Sequence, residues 1–195
     1  MRGQTMAIAS KSARLTYSDL CRLPDDGMRH ELIDGEHYVS PSPRPKHQRA
    51  AGNLHGHLFM FLRQHPLGRA YLAPLDVVFS EINCVVPDLL YLSREREARQ
   101  MTERNLEGAP DLVVEVLSPS TKHIDQGAKL RLYGRFGVPE YWVIDPSNEV
   151  VRIYRQENDE LVRRAELSRG DDPSRAILST PLLTGFELSL DEIFD

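Results

Sequence analysis

The sequence predicts an α/β fold, a mixed β-sheet flanked by α-helices, and three features carry that expectation. Asp111-Leu112-Val113-Val114-Glu115-Val116-Leu117 is a nearly continuous apolar run, as a strand buried on both faces requires. Tyr141-Trp142-Val143-Ile144 is a second such run. The segment between them, residues 123–136, has helical length and ends at Gly137-Val138-Pro139. Strand, helix and strand in that order form a crossover unit, which should be right-handed.

The other elements are set by local chemistry. Thr16 caps a short helix running to Leu23, and Pro24-Asp25-Asp26-Gly27 breaks it. The Asp34-Gly35 pair between two strand-like runs, within residues 29–39, signals a hairpin. Residues 40–45 alternate proline with polar side chains and read as loop. Leu54, Leu58, Phe61 and Leu62 recur at helical spacing, so residues 46–64 read as an amphipathic helix ended by Pro66 and Gly68. Residues 71–79 and 85–92 read as a second hairpin, linked at 81–83. Residues 94–107 are charged, either a surface helix or a mobile segment. A late hairpin is expected from residues 150–154 and 161–165, and a short closing helix over 188–194.

Composition bounds the function. Hydrophobic residues at 41% and charged residues at 27% mark an ordinary globular protein, and 195 residues suffice for one domain, expected over 16–195. No apolar run approaches the roughly 20 residues of a membrane span. Residues 1–14 lack the apolar stretch of a secretory signal, so residues 1–15 read as a disordered lead-in and the protein as cytoplasmic. Cys21 and Cys84 lie far apart with no CxxC pair, which leaves two buried reduced thiols as the expectation. A net charge of −5 argues against coating nucleic acid by bulk electrostatics. It does not exclude a nuclease, because a carboxylate metal site is acidic until its cation arrives.

Three acids interrupt apolar surroundings. Glu31 sits inside the first hairpin, Asp88 between Val86-Pro87 and Leu89-Leu90, and Glu115 in the most apolar stretch. Each is either a solvent-facing or ion-paired strand residue, or a buried carboxylate offset by a metal. Acids at the strand ends of one sheet can converge on Mg²⁺, which takes one or two carboxylates plus water and phosphate. Asp125 and Lys129 are four apart on one helical face: a surface ion pair, or an ammonium directed over the strand ends. His55 and His57, two apart on a helix, make a poor metal pair. Lys46, His47 and Arg49 are either phosphate contacts or a solvated helix start. Ser118 and Ser120 lie in no serine-hydrolase pattern.

Several of these motifs occur together in one order. His30-Glu31-Leu32-Ile33-Asp34-Gly35-Glu36 is followed by Val86-Pro87-Asp88, then Pro110-Asp111-Leu112-Val113-Val114-Glu115-Val116-Leu117-Ser118-Pro119-Ser120-Thr121. Asp125, Lys129 and Tyr133 come next, then Gly137-Val138-Pro139-Glu140-Tyr141-Trp142-Val143-Ile144-Asp145-Pro146. The series, from about Tyr17 to Phe194, resembles the Uma-two-type "putative restriction endonuclease" family, long described as a domain of unknown function. The resemblance implies the PD-(D/E)XK nuclease superfamily and its restriction-endonuclease-like core.

Carried over residue by residue, the resemblance makes Glu31 the early acid, Asp88 the metal-bridging acid and Glu115 the second ligand, with the Val116 carbonyl also at the metal. The superfamily's lysine stands two residues after the Glu, where this chain has Leu117. The role therefore falls to Lys129, with Lys122 the weaker alternative and a further candidate contact for nucleic acid. The resemblance thus implies a Mg²⁺-dependent endonuclease acting on DNA, with Mn²⁺ equally suited to carboxylates. Two rivals stand beside it: a catalytically silent binding module on the same fold, and a metal-dependent hydrolase of another substrate. A two-fold homodimer is expected, with the late hairpin either its surface or a sheet edge.

Overall fold

The structure is a computed structural model that describes residues 14–119, 121–170 and 176–195. Of the expected lead-in, residues 1–13 lie outside the described residues, as does Ser120. The Leu15 N–H donates to the Gly35 carbonyl at 3.1 Å, so the chain is already docked before residue 16. Helix α1 (Tyr17–Leu20) starts where Thr16 and Asp19 cap each other reciprocally. Strands β1 (Arg29–Ile33) and β2 (Glu36–Ser40) form the first hairpin. Asp34 and Gly35 take φ of +53° and +79°, the left-handed pair a tight two-residue turn needs. Helix α2 (Pro45–Gln64) carries proline in its first turn and buries Ala50, Ala51, Leu54, Leu58 and Leu62 along one stripe.

The second expected hairpin is corrected. Its residues form four strands, β3 (Gly68–Leu72), β4 (Val77–Ser80), β5 (Asn83–Val85) and β6 (Leu89–Ser93). β4 pairs with β5, whereas β3 pairs with β6 in a different sheet. Pro74 and Pro87 explain the break: neither has an N–H to give a ladder, so each strand-like run ends there and the chain changes sheet. Asp88 therefore stands at the start of a strand rather than within one.

The charged stretch contains a surface helix, α3 (Arg94–Gln100), and a short strand, β7 (Leu106–Glu107), whose Leu106 is fully buried. The crossover unit is β8 (Leu112–Val116), α4 (Lys122–Ile124), a π-helical turn (Asp125–Lys129), α5 (Leu130–Arg135) and β9 (Glu140–Asp145). β8 and β9 are adjacent and parallel. β10 (Val150–Glu157) and β11 (Glu160–Ser168) extend the late hairpin beyond its expected ends. β12 (Ile177–Ser179) pairs with β13 (Glu187–Ser189), and α6 (Leu190–Phe194) closes the chain. This last helix begins later than expected because Ser189 caps it.

The fold is mixed α/β. One sheet runs β11-β10-β9-β8-β6-β3 and a second runs β2-β1-β5-β4-β7. Strand alternation splits the larger sheet between two cores. Leu89, Tyr91, Leu112, Val114, Val116 and Trp142 face α2 and α6. Leu90, Leu92, Val113, Leu117 and Val143 face α5 and the second sheet, with Tyr133 and Val85. Glu115 alternates with Val114 and Val116 and shares the face of Val113 and Leu117, so its carboxylate enters this second core. Cys84 is buried as expected, but Cys21 is exposed, because α1 buries none of its residues. Among the described residues no helix is long and apolar enough to cross a membrane.

Candidate active site

The antiparallel pairing of β6 with β8 sets Leu89 opposite Val114, which brings Asp88 beside the Glu115–Val116 end of β8. The Val116 N–H donates to Asp88 Oδ2 at 2.8 Å. His47 Nε2, from the first turns of α2, lies 3.0 Å from the same oxygen. The Arg29 guanidinium donates to Asp88 Oδ1 at 2.8 Å and to the Val86 carbonyl at 3.2 Å. Burial pushes the Asp88 carboxyl up, but the His47 hydrogen bond, the Arg29 charge and the Val116 N–H outweigh it and hold it at about 2.

Lys129 is the hub of the acids. Its Nζ donates to Glu115 Oε1 at 2.9 Å and lies 2.8 Å from Glu31 Oε1 and 3.6 Å from Asp125 Oδ1. Glu31 Oε1 also accepts the Val86 N–H at 2.8 Å, and the Tyr133 hydroxyl donates to Glu115 Oε1 at 2.7 Å. The π turn directs both Asp125 and Lys129 inward, and single π turns of this kind are common at functional sites. Burial drives the Glu115 carboxyl well up; Lys129 opposes this, while Asp125, Asp88 and Glu31 add to it. Lys129, although buried, is held protonated by Glu115, Glu31 and Asp125. Glu31, Asp88, Glu115, Asp125 and Lys129 are each at most 4% exposed, yet together they floor a cleft of about 410 Å³.

The cluster suits a divalent cation in its charge and its donors. Glu31, Asp88, Glu115 and Asp125 face two permanent cations, Lys129 and Arg29, so full ionisation leaves an excess of two negative charges. Burial and mutual repulsion raise Glu115 and Asp125, and a divalent cation would offset the repulsion. Asp125 Oδ1 is buried with no hydrogen-bond donor, a hard oxygen left over. Among the described residues no three His, Cys, Asp or Glu side chains are gathered at metal-ligand spacing. The donor set thus fits an ion held by one or two carboxylates with water and phosphate completing its shell, rather than an all-protein cage.

Glu31, Asp88, Glu115 and Lys129 line one cleft. Lys129 is buried among acids, so the surface-pair alternative is ruled out. Of the candidate nucleic-acid contacts, His47 turns into the cleft, while Lys46 and Arg49 line a separate depression with Glu149 and Phe194. Lys122 lies 3.6 Å from Asp145 Oδ2. Asp111, which also follows a proline, accepts the Ser93 N–H at 2.7 Å and pairs with Arg96, a clamp within the fold. Sequence reasoning missed Arg29 and the Tyr133 hydrogen bond. Both had a signal: Arg29 shares a strand face with Glu31, and Tyr133 lies one helical turn beyond Lys129.

Comparison with known proteins gives a consistent picture. The family model Uma2, described as "Putative restriction endonuclease", matches residues 16–191. A crystal structure described as a putative nuclease belonging to DUF820, from Anabaena variabilis ATCC 29413, superposes with a TM-score of 0.75 at 22% identity. The match covers 92% of this chain and 97% of that one. At this identity it speaks to the fold. No curated protein matches.

Proposed function

Because the chain belongs to the Uma2 family, described as "Putative restriction endonuclease", we propose that it is a metal-dependent endonuclease hydrolysing DNA phosphodiester bonds at this cleft. One observation carries the reading: four buried carboxylates, balanced by only two permanent cations, meet at the floor of an open cleft. The cluster also ties the two sheets together through Lys129, but strongly perturbed buried carboxylates gathered in a cleft are a mark of functional sites.

Asp88 and Glu115 would hold the ion, with the Val116 carbonyl as a further ligand and Glu31 either a ligand or the holder of a metal-bound water. A bound Mg²⁺ or Mn²⁺ would polarise the scissile phosphate and acidify the attacking water. Lys129 keeps its charge, and two of its three N–H groups engage Glu31 and Glu115. The third, 3.6 Å from Asp125 Oδ1 and outside hydrogen-bond distance of it, would turn to a phosphate oxygen as negative charge develops there. Tyr133 and the Val86 N–H fix the rotamers of Glu115 and Glu31. Arg29 must give up Asp88 Oδ1 for a cation to reach it, and its guanidinium is then free to meet a phosphate.

A second reading is a catalytically silent module on the same fold. It is favoured by the saturation of Asp88, whose two oxygens already engage Arg29, His47 and Val116. Calorimetry with Mg²⁺ and Mn²⁺, beside plasmid and single-stranded DNA cleavage, separates the two. The nuclease reading expects metal binding and nicking in the wild type and loss of both in Asp88→Ala and Glu115→Ala. A folded wild type that binds no divalent ion supports the silent module. The nuclease is further proposed to act in the cytoplasm as a two-fold homodimer, whose assembly light scattering tests directly.

A further inference from the structure

We propose that the groove beside the acid cluster is a nucleobase subsite, which takes the base next to the scissile phosphate out of the helical stack; this rests on the nuclease reading of the cleft. The groove has a volume of about 750 Å³, within the range of small-ligand pockets. It is continuous with the cleft: Arg29, His47, Asp88 and residues 40–43 line both. A nucleotide whose phosphate meets Asp88 therefore has the groove within its reach on one side.

The chemistry of the walls selects the base rather than the backbone. Leu20, Met28 and Leu72 and the rings of Pro41, Pro43 and Pro74 supply the apolar surface. Arg29 is the one lysine or arginine among the described lining residues, and it stands where the groove joins the cleft, beside Asp88. Away from Arg29, a phosphate chain laid along this groove would find no lysine or arginine, whereas a flat uncharged ring finds apolar faces to lie on. Gln48 brings an amide, with donors and an acceptor, to the same wall, as the edge of a base requires.

The wall on α2 is also cut back. Gln48, Ala51 and Gly52 share a face of that helix, and a Cβ on Gly52 would meet nothing within 4 Å. A paired base cannot enter such a groove without leaving its partner. The unstacking cost is least when the base is mismatched or already single-stranded. The subsite therefore makes the enzyme prefer substrates with an unpaired base at the cut.

Gly52 provides the test. It is exposed in the middle of a helix, so Gly52→Leu and Gly52→Phe improve helix propensity while projecting side chains into the groove. The probes are a fully paired duplex, the same duplex with 2-aminopurine in a mismatch, and a single strand. Binding is read by fluorescence with Ca²⁺ replacing Mg²⁺, cleavage by single turnover with Mg²⁺, and metal affinity by Mn²⁺ calorimetry. The wild type is expected to favour the unpaired substrates and to raise 2-aminopurine fluorescence. Gly52→Phe is expected to lose about tenfold or more of that preference, the stacking worth of one base, with Mn²⁺ affinity and thermal stability unchanged. If the wild type cleaves DNA but Gly52→Phe treats all three probes as the wild type does, the groove proposal fails and the nuclease reading stands. If the wild type binds Mn²⁺ yet neither binds nor cuts any of them, both fall together.

Discussion

Lys129 Nζ lies 2.9 Å from Glu115 Oε1, joining a helical turn to the central strand across fourteen residues of chain. The same nitrogen holds Glu31, which comes from the other sheet. One ammonium therefore ties both sheets and the crossover helix at a single buried point. Removing it leaves Glu31, Glu115 and Asp125 without the cation they share, with Arg29 already paired to Asp88.

Lys129→Met should therefore destabilise the metal-free protein by about 3–5 kcal/mol, the usual penalty for breaking a buried ion pair from one side. Adding Glu115→Gln removes one of the stranded charges, so the double variant should recover part of the loss, with a coupling of about 1 kcal/mol or more. Urea unfolding in chelator measures the cycle. Additive effects would mean that the two groups do not interact as the geometry requires. Neither variant is expected to cut DNA.

Gly68 sits where β3 meets the end of β6. A Cβ there would stand 1.9 Å from the Leu92 carbonyl oxygen, and the clash is with backbone, which cannot swing aside. Gly68→Ala should cost at least about 1–3 kcal/mol and loosen the outer strand of the larger sheet. Hydrogen exchange should show faster exchange at the β3–β6 ladder first. Wild-type protection there would show that the strand pair relaxes more easily than its close approach implies.

These contacts also show what a sequence reveals. The first hairpin, α2, β8 and β9 were legible because each has a period or turn signal of its own. Glu31, Asp88 and Glu115 were legible because acids in apolar surroundings stand out. The division of residues 68–93 between two sheets was not. Periodicity reports that a segment is a strand, not which sheet receives it, and only Pro74 and Pro87 hinted at the change. The inward turn of Lys129 depends on a π turn, which leaves no mark in a pattern of apolar spacing. Arg29 was overlooked because an arginine near a chain turn looks like a solvated residue. Its partner, Asp88, is distant in sequence, and only the folded register brings the two together.

Arg29 holds the Asp88 oxygen that the proposed divalent cation would need, so the two would compete for it. Removing the guanidinium removes both the competitor and the repulsion of a positive charge beside the ion. Arg29→Met should therefore bind Mn²⁺ more tightly than the wild type, by several-fold in calorimetry, while binding DNA less well. A fall in Mn²⁺ affinity with the fold intact would show that Arg29 organises the site instead of guarding it. Circular dichroism on the same samples provides the control for folding.

Asp88 also sets a limit on acid stability in the metal-free protein. Its carboxyl is held at about 2, below the ordinary 3.8, because His47, Arg29 and the Val116 N–H together outweigh the effect of burial. A group depressed in the folded state contributes stability that is present above its unfolded value and is lost as pH falls through the folded one. The contribution is roughly 2 kcal/mol, and it should disappear between about pH 4 and pH 2. Asp88→Asn has no such titration. In chelator, its urea midpoint should lie below the wild type's at pH 5, change less as the pH falls, and approach the wild type's near pH 2. Two curves that run parallel across this window would mean that Arg29 and His47 do not hold the charge on Asp88. The saturated carboxylate that favours the silent-module reading would then lose its support as well.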